Sequence, residues 1–191
     1  TDNILRGFKL RKVWVNAIVD DAITVATTGL ANNASVASTS TGNNSTDGTQ
    51  VFNQSGGTVT LPAETFAPGS QANYTTTVAC VGATLSGSTP GSTFTMPDND
   101  VTCTYTNTRK TVTLQLRKTW INAFIGDAVT VTAAGLANSA GAALNAVADT
   151  ASETDPGAVV TVYAGEVATL NEGAISGSGE TYLTSFSCTG N

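Results

Sequence analysis

The chain has 191 residues, three cysteines, no histidine and a net charge of −6, with only 12% of its residues charged. An acidic chain with dispersed Lys and Arg has no electrostatic footprint for nucleic acid. Its apolar runs fall short of a membrane-spanning helix, and a serine nucleophile would lack an imidazole base. The bulk is Thr, Ala, Ser, Gly, Val and Asn, small and β-branched residues that favour short strands and turns over surface helices.

Phe8-Lys9-Leu10-Arg11-Lys12-Val13-Trp14-Val15 alternates with period two and predicts a strand. One face carries Phe8, Leu10, Lys12 and Trp14, so an ammonium sits inside an apolar row, where burial without a partner is costly. A turn at Val19-Asp20-Asp21 leads to a second strand, Ala22–Val25, ending before Gly29. Residues 31–57, rich in Asn, Ser, Thr and Gly, read as a surface connection with at most one edge strand. Thr58–Glu64 resumes strand character, with Pro62 marking a bulge or an edge. Tyr74–Cys80 is a further strand, and Gly82–Gly91 a turn-rich connection. Asp98-Asn99-Asp100 reads as a turn or a calcium-binding cluster. Val101–Asn107 then alternates Val101, Cys103, Tyr105 and Asn107 on one face with Thr102, Thr104 and Thr106 on the other. It runs on through Lys110 without Gly or Pro.

At that point the chain repeats itself. Leu10–Asn32 aligns with Leu116–Asn138 with 14 of 23 residues identical. Lys118 and Trp120 take the places of Lys12 and Trp14. Glu64 precedes Tyr74 by ten residues, as Glu172 precedes Tyr182, so this glutamate is a repeated position too. A repeat of this period predicts two tandem all-β sandwich domains of about 100 residues each. They span residues 1–109 and 110–191. The second matches the first as far as Cys188, the counterpart of Cys80, and has no counterpart of residues 84–107. It therefore lacks a closing strand and leaves a sheet edge unpaired. A longer parent chain or a strand from a neighbouring subunit would complete it. Thr1–Gly7 has no evident duty in the first copy and is the candidate donor.

Without histidine or a CxxC pair, no zinc site is expected. Cys80 and Cys103 are read as a disulfide within the first domain, and Cys188 as unpaired in this chain; two buried free thiols are the alternative. The bond implies an oxidising compartment and contributes roughly 3 kcal/mol through loop entropy.

The residues now assembled resemble the SpaA-like, prealbumin-like (collagen-adhesin B-type) repeats of bacterial surface adhesins. The likeness lies in an opening Leu10-x-Lys12-x-Trp14, a central Glu64-Thr65-x-Ala67-Pro68-Gly69…Tyr74, and a closing Thr106-Asn107-Thr108. It implies a prealbumin-like or Ig-like β-sandwich used as a stalk or fibre module at the cell surface. Many members join an opening-strand Lys to a closing-strand Asn in an isopeptide bond, assisted by a carboxylic acid. By position these are Lys12, Asn107 and Glu64, with Lys118 and Glu172 in the second copy. Burial would lower the Lys pKa and raise that of Glu, as such chemistry requires. Trp14 stands where many relatives carry an acidic residue. The alternative is a Lys12 that pairs with Glu64 or reaches solvent along its stem.

The expected function is thus structural and non-enzymatic, with no cofactor. Its partners are neighbouring repeats, or other copies in a filament completed by strand donation. The rival is a glycan- or protein-binding adhesin module presenting the variable regions 31–57 and 137–157.

Overall fold

The computed structural model describes residues 4–190. The protein is an all-β sandwich fold, with only the 3-10 turns Gln71–Asn73 and Ser139–Gly141 as helical elements among the described residues. It divides into two compact units, Thr1–Lys110 and Thr111–Asn191.

Unit one contains β1 (Arg6–Val15), β2 (Ala22–Ala26), β3 (Ser35–Thr39), β4 (Asn44–Asp47), β5 (Val51–Asn53), β6 (Thr58–Thr60), β7 (Thr65–Phe66), β8 (Tyr74–Val81), β9 (Thr93–Thr95) and β10 (Val101–Arg109). Its main sheet runs β4-β1-β10-β8, with β5 continuing the β4 side of β1. β1 and β10, first and last in the unit, are parallel neighbours; β4, β5 and β8 pair antiparallel to them. The sheets β3-β2-β7 and β6-β9 supply the rest of the fold. Phe8, Leu10 and Trp14 from β1 meet Ile23 and Val25 from β2, Val59, Val78, Phe94 and Tyr105 in one buried cluster. On the outer face of β1, Arg11 and Lys9 both grip Asp47 of β4 and hold its carboxyl well below the usual range, Arg11 contributing most.

Residues 31–57 depart from the sequence expectation. They contain three strands, β3, β4 and β5, and not a connection with at most one. Pro62 lies between β6 and β7, within neither. Arg6 and Gly7 also have a duty in unit one. They pair with β5, Gly7 N donates to Asp100, and Arg6 is ion-paired to Asp98. That removes them from the proposed donor segment; Thr1–Asn3 lie outside the described residues.

Unit two contains β11 (Thr111–Trp120), β12 (Ala128–Ala134), β13 (Ala143–Val147), β14 (Glu153–Tyr163) and β15 (Thr169–Glu172). β11 pairs antiparallel with β14, shifting register between Gln115 and Arg117 beside Pro156, which has no N–H to give. The other sheet is β13-β12-β15. Asn16 and Asn122 both end their strands in the left-handed region, at φ 52° and 54°, which asparagine tolerates better than most residues. The repeat is therefore kept in the backbone as well as in the side chains. One element is not. Tyr182–Cys188, expected as the counterpart of β8, forms no strand. β8 is laddered on β10, and the described part of unit two has no strand in that place.

Candidate functional site

The alternation of β1 turns Lys12 into the core with its neighbours Leu10 and Trp14. In the parallel ladder Tyr105 lies opposite Lys12, and Asn107 opposite Trp14. Lys12 and Asn107 thus share one face of adjacent strands, a diagonal step apart. Glu64, just before β7, completes the cluster. Lys12 Nζ lies 2.7 Å from Glu64 Oε1, with both side chains 0% exposed. It also sits 4.5 Å from the centroid of the Trp14 ring, a cation–π distance.

The hydrogen-bond ledger of this cluster does not close. Thr76 Oγ1 donates to Asn107 Oδ1 at 2.6 Å and accepts from Gln71 Nε2 at 2.8 Å, so the amide oxygen is held. Lys12 and Glu64 form a buried ion pair, and beyond it polar atoms of the cluster are left without partners. Lys12 Nζ, both Glu64 carboxylate oxygens and Asn107 Nδ2 are all buried with no hydrogen-bond partner. Buried orphans of this kind are rare, and each calls for a cause. Burial lowers the Lys12 pKa to about 8, against the opposing pull of the Glu64 charge. Tyr105, whose hydroxyl donates to Pro62 O at 2.9 Å, is pushed above the usual phenol range by burial and, secondarily, by Glu64.

In unit two Lys118 Nζ hydrogen-bonds Glu172 Oε1 at 2.5 Å and lies 4.6 Å from the Trp120 ring. The pair is the same, but its side chains keep 15% and 8% exposure. No described residue takes the place of Asn107.

A second duplicated device went unnoticed in the sequence. Tyr74 Oη donates to Asp21 Oδ2 at 2.5 Å and accepts from Ile18 N at 3.0 Å. Tyr182 Oη does the same with Asp127 Oδ2 and Phe124 N, at 2.5 and 3.1 Å. The first latch ties the turn after β1 to the start of β8 in the same sheet, and the second ties the turn after β11 to Tyr182, outside any strand. Gly69 and Gly177 pass against the two aspartates at φ +113° and +128°, where a Cβ would come within 2.7 and 2.3 Å of the carboxylates. The spacing Glu-x4-Gly-x4-Tyr occurs twice, at Glu64-Gly69-Tyr74 and Glu172-Gly177-Tyr182, and is the signal that would have found it.

Cys80 and Cys103 face each other across β8 and β10 and are bonded; Cys188 is free and exposed. Asp98-Asn99-Asp100 is a turn whose groups are used internally. Asn99 Nδ2 donates to Gly82 O, and the two aspartates are engaged with Arg6 and Gly7. Trp14 and Trp120 are each 1% exposed and belong to the core. Thr75 and Thr77 face outward, whereas Thr76 between them is the buried residue that holds Asn107. A concavity of about 420 Å³ on the β2–β3 sheet is lined by Thr, Ser, Ala, Val and Pro, with no aromatic or charged side chain. In comparisons with known proteins, no family model, no curated protein and no solved structure matches the chain.

Proposed function

We propose that the protein is a structural, non-enzymatic module of an extracellular bacterial adhesin or surface filament, whose first unit is locked by an isopeptide bond between Lys12 and Asn107. The observation that carries this reading is the set of buried orphans around Lys12. In the reaction, neutral Nζ attacks Asn107 Cγ, the Cγ–Nδ2 bond breaks, and Nδ2 leaves as ammonia with the proton that Nζ gives up. Both nitrogen orphans are accounted for by this step. Nδ2 departs, and Nζ becomes an amide nitrogen whose N–H faces Glu64. Burial favours the neutral amine that the attack needs, Thr76 holds the amide oxygen, and Glu64, ion-paired with Lys12, is the carboxyl that would relay the proton. A bond between the first and last strands of the unit suits a stalk, because it closes the fold against extension and proteolysis. The disulfide, one strand further along the same sheet, supports an oxidising compartment.

The test is the intact mass of the purified chain, followed by peptide mapping. The expected result is a chain lighter by one ammonia, with the Lys12 and Asn107 peptides joined. Lys12→Ala, Asn107→Ala and Glu64→Gln should each restore the full mass. A wild-type chain of full mass, with two separate peptides, would overturn the cross-link.

A further inference from the structure

In unit one β1 is a central strand, with β4 and β5 on one side and the parallel β10 on the other. In unit two β14 takes the place of β4 and β5, and among the described residues nothing pairs with the opposite edge of β11. Three observations in unit two each match something that β10 supplies in unit one. Lys118 and Glu172 retain exposure where Lys12 and Glu64 have none. Residues 182–188 form no ladder, and Phe186 is exposed where its counterpart Val78 on β8 is buried. Cys188 is a free, exposed thiol where Cys80 is bonded to Cys103.

We infer that the outer edge of β11 and the Tyr182–Cys188 segment form an acceptor for one extended strand with the chemistry of β10. That strand runs parallel to β11 and reads apolar-x-Cys-x-aromatic-x-Asn. Transposing the unit-one register places the apolar residue opposite Leu114, the cysteine opposite Leu116, the aromatic opposite Lys118 and the asparagine opposite Trp120. The cysteine then reaches Cys188 as Cys103 reaches Cys80. A second copy of β11 is a poorer occupant, because edge-to-edge pairing sets Arg117 and Lys118 of both copies near one another, and like charges across a ladder are destabilising. Covalent capture by Lys118 is an additional step that rests on the cross-link proposed above; strand docking and the disulfide do not depend on it.

The probe is a synthetic peptide of the Val101–Arg109 sequence, added to the whole 191-residue chain in a glutathione buffer. There the two thiols are oxidised to the disulfide, while oxidised glutathione is reduced to two thiols. A docked strand raises the local thiol concentration, so the adduct at Cys188 should form about tenfold or more faster than with a scrambled peptide carrying the same cysteine. Amides in 111–120 and 182–188 should gain hydrogen-exchange protection, and a Cys→Ser peptide should retain part of it. Equal rates for the two peptides without new protection would overturn the proposal, as would prior protection of the β11 edge in a dimer of the chain. The same mass spectra separate the two proposals. Peptide capture with no ammonia lost anywhere removes the cross-link and leaves the acceptor edge. Ammonia lost from unit one without capture removes the acceptor edge alone.

Discussion

At the scale of residues, the Lys12–Glu64–Asn107 cluster has a titration signature. In an Asn107→Ala variant the amine stays free, and burial holds its pKa at about 8 against the ordinary 10.5. Between those values the folded state binds fewer protons than the unfolded chain, so stability rises with pH. The cross-linked wild type has no amine to titrate there. The melting temperature of unit one in Asn107→Ala should therefore climb relative to wild type from about pH 8 towards 10; equal slopes would contradict the cross-link. Both proteins share the opposing effect of Tyr74, raised to about 12 chiefly by burial and then by its bond to Asp21, so the comparison removes it. The duplicated latch supplies another test. Tyr74→Phe leaves the Asp21 carboxylate and Ile18 N–H short of a partner and should cost about 1–3 kcal/mol in denaturant unfolding. Tyr182→Phe should cost less, because Asp127 keeps Ser178 as a donor through both its N–H and its hydroxyl.

At the scale of elements, the bond between β8 and β10 closes a segment of sequence separation 23. Its removal in Cys80→Ser/Cys103→Ser should cost roughly 3 kcal/mol, read as a lower denaturant midpoint for unit one with unit two unmoved. Strands such as β1, β8 and β10 were legible in the sequence because each buries one face and alternates cleanly. β3 and β4 were not, and the reason lies in what they pack against. Ser38, on the inner face of β3, accepts from Trp14 Nε1 and shares a hydrogen bond with Thr46 of β4. Inward positions given to Ser38 and Thr46 beside a single Val36 break the apolar row that marks a strand. β4 is also an edge strand, with half-buried Asn44 and Thr46 in place of an apolar row. The site divides the same way. Lys12 stood out as a charge within an apolar row, whereas Thr76 was hidden in a run of three threonines and Asp21 in a turn. Their partners come from elements 31 and 53 residues away.

At the scale of the whole molecule, the described residues of the two units carry different complements of strands, and the stabilities of the units within these 191 residues should differ accordingly. Unit one buries Lys12, Leu10, Phe8 and Trp14 almost completely, while the matching row of unit two leaves Leu114 and Lys118 half-buried. Calorimetry should resolve two transitions, the lower one moving with substitutions in unit two such as Trp120→Ala and the upper one with Trp14→Ala. A single transition shifted equally by both would show that the units do not unfold separately. The pairing of β1 with β10 also imposes an order in time. A chain that emerges amino end first exposes the β1 edge long before its partner strand exists, so unit one must wait in a half-closed form much like that of unit two. Both opening strands present the same Leu-Arg-Lys-x-Trp edge, and β10 cannot tell them apart by those residues. Sequence order makes the choice instead: β10 emerges next to a waiting β1, before β11 has been made.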